Sequence, residues 1–185
     1  MIKLGVLISG RGSNLQSLID AFPGQIALVI SNIPGAYGLE RAERAGIPTQ
    51  TIDHTAYPSR TAFENVVTAA LEESGVELVC LAGFLRVLTE KFVTHWQGRM
   101  INIHPSLLPD FPGLDTHARA IAAGAKFAGC TVHWVVPEVD AGKIILQAKV
   151  PVQPDDTPET LAARVLKEEH RLYPEAVRLV AAGKA

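Results

Sequence analysis

The residues best placed to do chemistry are Asn102 and His104, in the stretch Met100-Ile101-Asn102-Ile103-His104-Pro105-Ser106-Leu107-Leu108-Pro109. The apolar residues around them spell a strand, and side chains two apart on a strand point the same way. Asn102 and His104 can therefore address one site. The first offers a neutral amide donor, the second an imidazole that can donate, accept or carry a proton. Pro105 has no N–H for a ladder and favours leaving the strand there. Pro105, Pro109 and Pro112 stiffen the loop that follows. A buried histidine satisfied by backbone groups is the competing reading of His104.

Other segments carry candidate chemistry. Ser9-Gly10-Arg11-Gly12-Ser13-Asn14 lies between an apolar run and residues with helical spacing. Strand, glycine loop and helix in that order aim free N–H groups and the positive end of a helix dipole at an anion. Gly10 and Gly12 permit close backbone approach, while Ser13 and Asn14 can cap the helix or donate to a phosphate. Leu15 stands where a dinucleotide fingerprint needs its third glycine, and no Gly-Lys-Ser/Thr is present, so a single phosphate is the modest reading. Arg60 falls in the first turn of a helix, where a cation opposes the dipole. Ala82-Gly83-Phe84-Leu85-Arg86-Val87-Leu88 leaves a strand end and suits either the wall of a flat apolar pocket or plain core. Locally, Asp140 is ordinary turn chemistry, Glu169 belongs to a solvated charged face, and His133 is a packed strand histidine.

The elements that must position these groups follow from periodicity. Apolar runs at 2–8, 25–31, 49–53, 77–81 and 100–104 read as strands. Helical patterns lie at 15–19, 38–45, 59–74, 89–96 and 116–123, with Gly46, Gly75 and Gly124 as stops. In the third of these, Phe63, Val66, Val67, Ala70 and Leu71 form one stripe. Beyond residue 128 the pattern changes: 129–136 and 143–152 are strands joined by a link too short for a crossover helix, hence an antiparallel hairpin. Thr157-Pro158 opens a helix to about residue 172, and Pro174 restarts a last one. The expected fold is a single α/β domain over 1–185, a mostly parallel Rossmann-like sheet with an antiparallel C-terminal hairpin. Ligands bind beyond the carboxyl ends of such strands. The glycine loop, the segment after residue 81 and Asn102–His104 all occupy such ends, which favours function over core for His104.

Composition narrows the class. The 185 residues include 17 basic and 19 acidic side chains, for a formal charge of −2. That argues against a nucleic-acid binder while leaving room for a local phosphate site. Cys80 and Cys130 sit in apolar runs without CxxC spacing or a His/Cys cluster, so reduced buried thiols are expected and a metal is not. No charged leader and no apolar stretch of ~18 residues is present, so a soluble cytoplasmic chain without a membrane partner is expected.

Taken in order, Ser9-Gly-Arg-Gly-Ser-Asn14, Leu81-Ala-Gly-Phe84, Asn102-Ile-His-Pro-Ser-Leu-Leu-Pro109, Phe111-Pro-Gly-Leu-Asp-Thr-His117 and Ile144-Ile-Leu-Gln147 resemble the phosphoribosylglycinamide formyltransferases of purine biosynthesis. These enzymes use 10-formyltetrahydrofolate. The central motif is shared among formyltetrahydrofolate-dependent enzymes at large; the Gly-Ser-Asn loop and the Phe-Pro-Gly-Leu-Asp-Thr-His run narrow the resemblance. It implies the formyltransferase fold, with phosphate-substrate binding in the N-terminal half and folate binding and catalysis in the C-terminal half. It implies a catalytic trio of Asn102, His104 and Asp140. Gly12, Ser13 and Asn14 match the substrate-phosphate loop, and Glu169 the ribose-hydroxyl acceptor. Arg60, Leu85, Arg86, Val87, Leu88, Asn102, Val136, Pro137, Glu138, Val139 and Asp140 match folate-binding positions. The hairpin link departs from the family pattern at Ala141 and Lys143, and Val136-Pro137 replaces a more polar pair. A monomer or weak homodimer is implied.

Formyl transfer is attack of an amine on an amide-like carbon through a tetrahedral oxyanion, with a poor amine leaving group. It needs donors aimed at the developing charge and a proton for the leaving nitrogen. An ordinary imidazole, with a pKa of about 6.5, is mostly neutral at pH 7; a carboxylate beside it, here Asp140, favours the charged form. No nucleophilic Ser or Cys is required, so direct transfer is expected. Three alternatives share parts of this pattern. A formyltetrahydrofolate hydrolase would use the same trio on water behind an extra N-terminal regulatory domain. A methionyl-tRNA formyltransferase would add a C-terminal nucleic-acid-binding domain. A non-catalytic nucleotide-binding module would need no acid.

Overall fold

A computed structural model describes residues Met1–Ala185. The chain divides into two compact units, Met1–Asn102 and Ile103–Ala185.

The first unit alternates strand and helix: β1 (Leu4–Ile8), α1 (Ser13–Ala21), β2 (Ile26–Ser31), α2 (Tyr37–Arg44), β3 (Thr49–Thr51), a 3-10 turn at His54–Ala56, α3 (Arg60–Glu73), β4 (Leu78–Leu81) and α4 (Glu90–His95). The strand β5 (Met100–His104) runs out of this unit. Within the unit β3, β2, β1, β4 and β5 lie side by side and parallel. β1 is buried at all five positions, as a central parallel strand requires. Gly5 makes room for α3: a β-carbon there would lie 2.7 Å from Leu71 and 2.9 Å from Val76.

The stripe expected on α3 is corrected at one position. Phe63, Val67, Ala70 and Leu71 are buried, but Val66 is 38% exposed and Glu64 is buried instead. Each residue turns the helix by about 100°, so the buried face runs from Ala70 through Phe63 and Val67 to Leu71; Glu64 lies next to Leu71 at one edge of it, and Val66 falls outside the opposite edge.

The second unit holds α5 (Thr116–Ala122), β6 (Phe127–Trp134), β7 (Ile144–Pro151) and α6 (Pro158–Ala181). β6 and β7 pair antiparallel, with a register shift between Val132 and His133. The hairpin is as expected, with each strand shorter at the turn. The two C-terminal helices expected from Pro174 are one: α6 continues through it. Pro174 removes a hydrogen bond, but Leu172, Tyr173, Pro174, Ala176 and Val177 are all buried, and packing carries the helix past the gap. Thr157 caps α6 by accepting from Thr160 N. No helix is long and apolar enough to cross a membrane.

Candidate active site

In the second unit the loop after β5 is stitched down from three sides. Thr131 Oγ1 donates to the Ser106 carbonyl at 2.7 Å and accepts from Leu108 N at 3.1 Å. Gln147 Nε2 donates to the Leu108 carbonyl at 2.8 Å and to Thr131 Oγ1 at 2.9 Å. Thr116 Oγ1 donates to the Pro105 carbonyl at 2.8 Å. These bonds fix the chain that leaves His104.

The structure brings His104 and Asp140 together. His104 Nδ1 lies 3.5 Å from Asp140 Oδ2. Its Nε2 lies 3.0 Å from the Phe111 carbonyl, an oxygen that only accepts, so Nε2 carries a proton. Asp140 has a left-handed backbone (φ 54°) and its Oδ2 accepts from Gly113 N at 2.9 Å. Two contacts fold the link back over the end of β6. Trp134 N donates to the Lys143 carbonyl at 2.9 Å, and a β-carbon on Gly142 would meet the Trp134 carbonyl oxygen at 1.6 Å. Asp140 is therefore held as a partner of His104, which corrects its local reading as a plain turn residue. Val136, Pro137, Glu138 and Val139 lie on the same link, with Val139 59% exposed. Asn102 sits two residues before His104 on β5 and is half-buried.

Two further histidines shape the electrostatics. His133 Nε2 lies 3.8 Å from Asp140 Oδ1, and its Nδ1 donates to the Trp134 carbonyl at 2.9 Å. Burial pushes the His133 pKa below 6.5; the Trp134 carbonyl and Asp140 pull upward but less strongly, so the ring is neutral at pH 7 despite the nearby carboxylate. His117, on α5, is also pushed down, first by burial and then by His104. Its Nδ1 is buried without a hydrogen-bond partner.

Glu169, expected on a solvated face, is instead buried on α6. Together with burial, which dominates, Glu169 and Glu168 push the Cys130 thiol up to about 12. No group of three or more His, Cys, Asp or Glu side chains is arranged to hold a metal ion.

The first unit carries the other expected segments. Gly12 caps α1 in a left-handed conformation (φ 71°) with no side-chain cap, and Ser13 and Asn14 lie within the helix, so of the two roles open to them capping is removed. A left-handed cap position is one that glycine adopts without strain. The loop is braced by α2, since Gly38 N donates to the Gly10 carbonyl at 3.0 Å and Arg41 Nε to the Arg11 carbonyl at 2.7 Å. A β-carbon on Gly12 would lie 2.7 Å from Gly38 Cα.

The segment with Leu85, Arg86, Val87 and Leu88 is strung between two anchors. Ser9 N donates to the Gly83 carbonyl at 3.1 Å, and Leu85 N donates to Ser9 Oγ at 2.9 Å. At the other end Thr89 N donates to Glu64 Oε1 at 2.9 Å. Leu85 is 74% and Val87 58% exposed, so these two side chains are not core, whereas Ala82 at the strand end is buried. Arg86 Nε is buried without a hydrogen-bond partner. Arg60, the first residue of α3, is exposed.

His133 is buried on β6, as the reading of a packed strand histidine expected; the bracing by Thr131 and Gln147 in the second unit, and by Ser9 and Glu64 in the first, was not foreseen. Thr131 and His133 did carry a signal: they are polar and two apart in a strand whose other buried residues, Ala128, Gly129, Cys130 and Val132, are small or apolar.

The chain matches the formyl transferase family model over residues 2–177. It is 53% identical over 187 residues to the trifunctional purine biosynthetic protein adenosine-3 of Gallus gallus, covering 98% of this chain and 19% of that protein. It thus spans about a fifth of the length of such trifunctional relatives. It is 46% identical over 188 residues to the phosphoribosylglycinamide formyltransferase of Escherichia coli (strain K12), covering 99% of this chain and 89% of that one. The crystal structure of glycinamide ribonucleotide transformylase 1 from Symbiobacterium toebii is similar at TM-score 0.96 and 54% identity, with 99% of this chain and 89% of that chain covered. Matched over nearly its whole length, the chain belongs to the formyl transferase family, on the branch of the phosphoribosylglycinamide formyltransferases.

Proposed function

We propose that the chain transfers the formyl group of 10-formyltetrahydrofolate to the amine of 5'-phosphoribosylglycinamide, giving N-formylglycinamide ribonucleotide and tetrahydrofolate in de novo purine biosynthesis. The observation that carries this reading is the buried pairing of His104 with Asp140. Formyl transfer needs a proton donor beside the reacting carbon, and a histidine paired with a carboxylate is suited to be one.

The substrate amine attacks the formyl carbon, and the carbonyl electron pair moves to oxygen. His104 Nε2–H, now given to the Phe111 carbonyl, can be given to that oxygen instead, with the Asn102 amide as a second donor. As the intermediate collapses, the bond from carbon to N10 of the folate breaks. N10 takes up a proton while the attacking nitrogen loses one. Asp140 stabilises the imidazolium form that makes His104 a charged donor and an acid. No acyl-enzyme forms.

Gly12, Ser13 and Asn14 take the substrate phosphate, a role that fits a rigid loop at a helix N-terminus. Glu169 accepts from the ribose hydroxyls. Arg60, Leu85–Leu88 and Val136–Asp140 take the folate; in the first unit the exposed Leu85 and Val87 supply apolar surface for a flat ring. Residues 1–185 act as one domain, a monomer or weak homodimer without nucleic-acid or membrane partners. The two buried free thiols suit the reducing cytoplasm.

The test is to incubate the protein with 10-formyltetrahydrofolate, with and without glycinamide ribonucleotide, and to follow tetrahydrofolate release. Release that depends on the ribonucleotide is expected. Release without it would make the chain a hydrolase, and no release a binding module.

A further inference from the structure

Arg119 has no part in the reaction above, yet it holds the backbone on which both reacting side chains rest. That backbone is Phe111–Asp115, the stretch that leads into α5. The Phe111 carbonyl accepts from His104 Nε2 at 3.0 Å, and Gly113 N donates to Asp140 Oδ2 at 2.9 Å. His104 and Asp140 thus take their places from the two peptide groups that flank Pro112. A rotation of either peptide would release one member of the pair.

That backbone is strained. Phe111 (φ 50°), Gly113 (φ 82°) and Asp115 (φ 54°) are all left-handed. Glycine adopts this conformation freely, whereas the side chain of Phe111 crowds its own backbone there. Such a residue persists only where surrounding contacts over-determine it. Upstream, Ser106 Oγ donates to the Asp110 carbonyl at 2.6 Å, and Asp110 N donates to the Leu107 carbonyl at 3.0 Å. Those bonds end at Asp110, and the strain begins at the next residue.

Arg119 supplies the hold. It stands one turn into α5, and helical side chains lean back toward the N-terminus, so it reaches over the start of its own helix. Its Nη1 donates to the Pro112 carbonyl at 2.5 Å and to the Leu114 carbonyl at 3.0 Å. The Pro112 carbonyl and Gly113 N are opposite ends of one planar peptide group, so fixing the first on Arg119 aims the second at Asp140. The guanidinium carbon lies 5.5 Å from the centre of the Phe111 ring, a cation–π distance that holds the left-handed residue itself. Arg119 is exposed, so core packing does not account for it. A cation in the last turn of α5 also suits the helix dipole, but that role asks only for a charge.

We propose that Arg119 is a positioning residue for formyl transfer: it locks Phe111–Asp115 in the conformation that presents the Phe111 carbonyl to His104 and the Gly113 N–H to Asp140. This rests on the reading of His104 and Asp140 as the reacting pair.

The experiment has two arms. Arg119→Met keeps an unbranched stem but loses the charge and both hydrogen bonds to the loop. Its kcat is expected to fall about 10- to 100-fold, with both KM values changed less than about 2-fold. Arg119→Lys, which can still donate to a carbonyl but lacks the planar fork, is expected to lie between the two in kcat. An unchanged kcat with a lower urea midpoint would leave Arg119 a helix-dipole residue and overturn the proposal. KM values that rise as far as kcat falls, or a Lys variant no better than Met, would also overturn it. The second arm follows the Gly113 amide by NMR hydrogen exchange in the ligand-free protein. In Arg119→Met its exchange is expected to quicken at least about 10-fold while the amides of β6 keep their rates; an unchanged Gly113 rate, or a rise shared by β6, would overturn the proposal. This arm needs no turnover, so a lack of transferase activity in the unmodified protein would count against the proposed function alone.

Discussion

His104 Nδ1 and Asp140 Oδ2 stand 3.5 Å apart, with their side chains 7% and 10% exposed. In so little solvent an imidazolium and a carboxylate depend on each other, because either charge left alone would be poorly solvated. The same carboxylate oxygen accepts from Gly113 N, so the position of Asp140 is set by backbone as well as by the ring.

Stability should fall as the solution is acidified, before carboxylates titrate. His117 and His133 have folded-state pKa values lowered below 6.5, mainly by burial. Below 6.5 the unfolded chain therefore binds more protons than the folded one at these two rings, and unfolding is favoured. Their contribution is complete above 6.5 and declines as pH falls from there toward the folded-state values. Urea midpoints measured between pH 7.5 and 5 should decrease, and His117→Asn should flatten the decrease.

Gly142 should not tolerate a side chain. With the Trp134 oxygen 1.6 Å from its missing β-carbon, Gly142→Ala must push the hairpin link off β6. Overpacking of this kind costs about 1–3 kcal/mol, visible as a lower urea midpoint. Because Asp140 lies on the same link, kcat measured well below the melting temperature should fall at least ~10-fold.

Half of this site was legible in the chain itself. Asn102 and His104 share a strand, so two-residue periodicity alone puts them on one face. Asp140 is different: nothing near it in sequence distinguishes it from an ordinary turn residue, and only the family resemblance paired it with His104. The pairing is created when Gly142 lets the link fold back, a tertiary contact with no local pattern. His133 was seen as a strand residue, but the register shift at Val132/His133 and the path of the link decide what it faces. Pro174 misled for a related reason, since local propensity marked a helix end and a buried face overrode it. Glu169 was read as solvated because a run of two acids beside a histidine is usually surface, and its burial depends on packing against β6.

Glu64 should hold the Leu85–Leu88 segment in place. Its carboxylate accepts from both the backbone N–H and the hydroxyl of Thr89. Glu64→Ala strands those donors and should lower stability by about 1–3 kcal/mol. It should also raise the Kd for a folate ligand more than the Kd for the phosphate substrate, as calorimetry would show. Glu64→Gln keeps one acceptor oxygen and should lie between the two.

Neither thiol should react in the folded protein. Cys80 and Cys130 are buried away from reagent, and burial with Glu169 and Glu168 pushes the Cys130 thiol up to about 12, so almost no Cys130 thiolate exists at pH 8. Iodoacetamide should leave the native protein unmodified by mass spectrometry and label both cysteines in urea.

The central claim is that Asp140 serves the chemistry of His104 and does more than shape the hairpin. Asp140→Asn keeps the size and an oxygen that can accept from Gly113 N, but removes the charge beside His104. The decisive measurement is kcat for formyl transfer together with the Kd for glycinamide ribonucleotide in this variant. The account predicts a loss of at least about 100-fold in kcat with the Kd changed less than about 3-fold. Equal losses in both would contradict it and leave Asp140 a structural turn residue.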